Sequence, residues 1–88
     1  LPDLMKMNIE GHEATVIRSI PLPAWRKLDC FVALHSEEIR DSVFSYFDKT
    51  DVNIFSQKIG WEKPSVAKDC SLEKQGYIFL STRHEMPW

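Results

Sequence analysis

Three polar side chains recur at every second position near the start of the chain: Lys6, Asn8 and Glu10, with Met7 and Ile9 between them. On a strand, residues two apart point to the same side. This spacing therefore sets an amine, an amide and a carboxylate along one side of a short strand. Gly11 follows at once, and glycine lets the backbone turn sharply into a helix. Such groups are costly to bury unless they pair or meet a ligand. In open α/β sheets the ligand lies beyond the carboxyl ends of the strands, which is where Glu10 falls. The chemistry on offer is a polar cluster facing a cofactor or a substrate. The plainer alternative for Lys6 and Glu10 is a structural salt bridge, or an acid at a helix start facing the dipole.

Two histidines add a titratable group in the range a general base needs. His12 follows the glycine, and His35 closes an apolar stretch. His12 suits a substrate contact or an exposed first-turn position. His35 suits a general base, a substrate-orienting group or a satisfied structural histidine. Asn8 offers a carbonyl oxygen but not the charge a hard cation prefers, and the chain has no CxxC pair. No metal is expected. Cys30 reads as a buried hydrophobe inside Cys30-Phe31-Val32-Ala33-Leu34, and Cys70 as part of a polar loop. Two such different settings make no disulfide framework and fit a reducing, cytoplasmic setting. Trp61 and Trp88, in a loop and at the terminus, either cover a ligand or pack on a neighbour.

The elements that must position these residues follow from periodicity. Leu4–Ile9 reads as a buried strand, and His12–Ile20 as a helix stopped by Pro21 and Pro23. Trp25–Lys27 is a connector. Leu28–Leu34 is the clearest strand, apolar enough to be buried on both faces. Ser36 reads as an N-cap, with Glu37 and Glu38 in the first turn of the next helix. Ile39, Val43, Phe44 and Phe47 form the core face of that helix, about eleven residues long at this spacing. Asn53–Ile59 is a further strand. The polar stretch from Gly60 to Gln75 is a long loop, either a substrate lid or slack. Tyr77–Ser81 is a last strand. Strands alternating with helices predict a parallel α/β sheet, and the last two strands, with no helix between them, predict an antiparallel pair.

The bulk numbers bound the function. The sequence has 88 residues, at most one domain. Apolar residues are 43% and charged residues 27%, which is neither disordered nor fibrous. Eleven Lys and Arg against thirteen Asp and Glu give a net charge of −2, with no basic cluster to track phosphates. No nucleic-acid partner is expected. No apolar stretch approaches the ~18 residues of a membrane span, and no basic start leads into an apolar core. The chain begins Leu1-Pro2-Asp3 and reads as a piece of something longer.

The stretch Lys6-Met7-Asn8-Ile9-Glu10-Gly11-His12-Glu13 resembles the K-x-D/N-x-E-G-x-E signature of FkbM-type S-adenosylmethionine-dependent methyltransferases. Lys6, Asn8, Glu10, Gly11 and Glu13 match it position by position, and His12 stands where that family has a small residue. In that family the stretch is the fourth strand and its turn into the next helix. A following strand often ends in E-x-H. Ala33-Leu34-His35 keeps the histidine and loses the acid.

The resemblance implies the C-terminal half of a Rossmann-like class I methyltransferase sheet over residues 1–88, strands four to seven. The half holding the glycine-rich cofactor loop is missing: the chain has only Gly11, Gly60 and Gly76 and no G-x-G. A complete domain needs roughly 150–250 residues. The resemblance further implies S-adenosylmethionine as cofactor, with Lys6, Asn8, Glu10 and Gly11 on the cofactor side. His35 and Glu10 take the catalytic polar roles, and His12 and Trp61 line the methyl acceptor, an oxygen of a sugar or small metabolite. The half chain alone is expected to be inactive. The rival expectation is a free-standing α/β interaction module. Under either reading the first strand is an open edge that invites self-association.

Overall fold

The alternation around Lys6 resolves into a strand, β1 (Asp3–Met7), with Met7 buried and Lys6 exposed. The computed structural model describes residues 3–7 and 11–86. The expected continuation of β1 to Ile9 lies outside them. Helix α1 (Glu13–Ser19) follows and ends before Pro21. The expected connector is a 3-10 helix, Leu22–Lys27, which carries Trp25 fully into the core. Next come β2 (Leu28–Val32), α2 (Glu37–Tyr46), β3 (Asn53–Ser56) and β4 (Ile78–Ser81). Ser36 caps α2, its Oγ accepting from the Ile39 backbone N–H at 3.1 Å.

The sheet has the order β1-β2-β4-β3. β1 and β2 pair in parallel, with Met7 opposite Val32. β4 pairs antiparallel with both β2 and β3. β3 therefore points the same way as β1 and β2 without pairing with either. The expected closing antiparallel pair is present, and its last strand lies inside the sheet rather than at the rim. A buried position explains the composition of β4: Ile78, Phe79, Leu80 and Ser81 are all buried.

Both helices cover one face. Ala14 and Ile17 of α1 and Val43 of α2 pack with Met7, Cys30, Val32, Ile78 and Leu80. Trp25 meets Phe47 edge-on at 5.3 Å. On the other face the register sets Lys6, Phe31, Phe79 and Phe55 in one row across four strands. Phe31 and Phe79 rings lie 4.7 Å apart, and Trp61 meets Phe31 at 5.8 Å.

Two expectations change. β3 stops at Ser56, where the chain winds into a 3-10 turn, Gln57–Ile59. The long polar loop is pinned, not slack. Ser56 Oγ donates to Asp69 O at 2.6 Å, Lys58 N–H donates to Ser71 Oγ at 2.9 Å, and Ser56 bridges to Glu62. This folding-in buries Cys70 completely, although its sequence neighbours are polar. Both cysteines are free, and burial pushes the Cys30 thiol up to about 12 and the Cys70 thiol up to about 11. Neither is a reactive thiolate near neutral pH. Among the described residues no helix is long and apolar enough to cross a membrane.

Candidate functional site

Parallel pairing brings the carboxyl ends of β1 and β2 to the same end of the sheet. Ala33 N–H donates to Met7 O at 3.0 Å, holding the chain beside β1 one residue past β2. Buried Ala33 and Leu34 then carry it to His35. From the other side Gly11 turns the chain into α1 with a φ of +88°, the left-handed region that glycine adopts without strain. Among the described residues, its chain neighbours aside, no atom lies within 4 Å of where a side chain on Gly11 would start.

These paths converge on Glu13 and His35. Glu13, the first residue of α1, is fully buried. Its Oε1 accepts the His35 backbone N–H at 3.1 Å and lies 2.6 Å from His35 Nδ1. Burial pushes the Glu13 carboxyl up. The His35 side-chain hydrogen bond, the Glu13 and His35 backbone amides and the attraction of His35 outweigh it and hold the group below the ordinary carboxylate range. The His35 side chain keeps 14% of its surface exposed, and the Glu13 side chain none.

The other expected site residues go to different places. Lys6 is exposed, its Nζ 5.2 Å above the Tyr77 ring, within cation–π range. His12 is exposed at the N-cap of α1, and its side chain makes no capping hydrogen bond. Asn8 and Glu10 lie outside the described residues. Trp61 packs on Phe31, on the sheet face away from the helices, and borders an open groove of about 620 Å³ with Phe55, Lys63 and His84. Among the described residues no three His, Cys, Asp or Glu side chains converge as a metal site requires.

Sequence reasoning matched Glu13 to the motif but gave it no role. The signal was available. Glu13 shares its helix face with Ile17 and Ile20, and an acid on an apolar face is rarely buried unless paired.

Comparison with known proteins adds no relative: no family model, curated protein or solved structure matches the chain.

Proposed function

We propose that the chain is the C-terminal half of an FkbM-type, S-adenosylmethionine-dependent methyltransferase domain, strands four to seven of its sheet. Its parent methylates an oxygen on a sugar or small metabolite, and this half is inactive alone. One observation carries the reading. A histidine anchored on a buried carboxylate, Glu13, the last residue of the motif, follows β2 at the end of the sheet where the carboxyl ends of two parallel strands lie. The sheet supports it: a reversed last strand inside the rim resembles the C-terminal end of a class I methyltransferase sheet.

S-adenosylmethionine supplies an electrophilic methyl group on a sulfonium. Lys6, Asn8, Glu10 and Gly11 form the part of its site that belongs to this chain. His35 accepts the proton of the acceptor hydroxyl, Glu10 contributes a second carboxylate, and His12 and Trp61 border the acceptor. Most of the remaining work is positioning.

Methyl transfer to a panel of hydroxylated sugars and small metabolites tests this in a chain extended by about 120 upstream residues, the size that completes one domain. Replacement His35→Gln should lower turnover about 10²–10⁴-fold, the range for loss of a general base. Unchanged turnover removes His35 from the chemistry.

The rival reading is an interaction module that docks a partner through β1. It draws on one observation: Leu4, on the rim strand β1, is 69% exposed.

A further inference from the structure

The end of the sheet opposite Glu13 and His35 carries a polar cleft of its own. β4 runs antiparallel to both neighbours, so its last residues lie beside the first residues of β2 and β3: Cys30 is opposite Leu80, and Asn53 opposite Ser81. Three segments distant in sequence therefore meet there. They are the 3-10 helix ahead of β2, the turn ahead of β3 and the chain just past β4. Two adjoining clefts open between them, of about 280 and 450 Å³, and Arg26, Asp51 and Thr82 line both. The first also takes in Lys49 and an apolar wall of Pro23 and Leu22, the latter 45% exposed.

The cations of this cleft are uncommitted. Arg40 pairs with Asp41, and Arg83 with the buried Asp29. Among the described residues neither Arg26 nor Lys49 forms an ion pair through its side chain. Asp51 is the one described acid on the two linings. The cleft thus sets two cations against one acid, in a chain whose net charge is −2. Lys49 has a φ of +64°, in the left-handed region where glycine or asparagine fits with less strain. A lysine there costs stability and places an ammonium on the cleft wall. A phosphate ester carries about −1.5 to −2 charge near neutral pH and three acceptor oxygens. A guanidinium takes two of them as a fork, an ammonium adds a point charge, and the Thr82 hydroxyl is a further donor. Leu22 and Pro23 suit the C–H side of a small carbon skeleton, and Asp51 accepts from a hydroxyl on it. We propose that this cleft binds the phosphate ester of a small sugar, with Arg26 and Lys49 on the phosphate. The site is independent of His35 and of the methyltransferase reading.

Amide ¹H–¹⁵N spectra of the chain, titrated at low salt with glucose-6-phosphate, inorganic phosphate and glucose, test the proposal. Glucose-6-phosphate should give saturable shifts centred on residues 22–26, 49–52 and 82–84. Inorganic phosphate should bind the same residues more weakly, and glucose should not bind. Arg26→Gln and Lys49→Gln should each weaken glucose-6-phosphate binding about tenfold, as loss of a charge-assisted hydrogen bond does. Both side chains are exposed, so unchanged amide positions elsewhere will show that the variants stay folded. Absence of saturable shifts overturns the proposal, as does binding unchanged in both variants. Glucose binding as tightly as its phosphate overturns the phosphate assignment, and inorganic phosphate binding as tightly as the ester overturns the sugar assignment. S-adenosylmethionine is absent from every titration, so failure of the methyltransferase reading leaves these outcomes as they stand.

Discussion

Glu13 gives the fold a pH dependence of definite sign. Its folded carboxyl lies below the ordinary carboxylate range, so the folded state holds that proton less tightly than the unfolded chain. The stability it contributes is present above about pH 4.3, the ordinary glutamate value, and is lost as pH falls through the depressed folded value. The urea midpoint should drop between pH 6 and pH 3, and drop less in Glu13→Gln. An equal drop in both proteins would assign the acid sensitivity to other carboxylates. At this scale the sequence showed which residues are chemically notable but not which of them meet. His35 stood out because it ends an apolar run. Its partner lies 22 positions away, and no local period links the two. Cys70 misled because its neighbours are polar while the loop folds it inward.

Gly76 sets the entry to β4. Its φ is +109°, and a side chain there would start 2.1 Å from Gln57 Oε1, the atom that accepts the Tyr77 backbone N–H at 2.9 Å. Gly76→Ala should cost about 1–3 kcal/mol, the range for a non-glycine residue held in such a backbone region. Urea unfolding measures it, and a change under a few tenths of a kcal/mol would mean that the turn relaxes freely. The elements readable in the sequence are those with strong local signals. β2 is nearly all apolar, and α2 has a serine cap, two first-turn acids and a clear apolar stripe. The 3-10 segments were not readable. Gln57–Ile59 continues the alternation of β3, and only tertiary pairing to Tyr77 and Ser71 ends the strand.

At the scale of the whole molecule, strand order is a long-range property. Periodicity located four strands and the closing antiparallel pair. It carried no information that β4 would slot between β2 and β3, because that depends on which faces are apolar on both sides at once. The same order leaves β1 at a rim with Leu4 exposed, a strand edge that invites pairing. Light scattering after size exclusion should show concentration-dependent dimers. Leu4→Lys should abolish them, since an exposed lysine blunts a strand edge. A monomer at every concentration would mean that β1 needs no partner.

The most direct measurement is a calorimetric titration of S-adenosylmethionine into this chain and into the chain extended by about 120 upstream residues. The account predicts binding to the longer chain alone, because these 88 residues contain no G-x-G loop of the kind the proposed methyltransferase reading needs for the cofactor. Binding to neither would contradict the cofactor assignment and leave the interaction module as the better description.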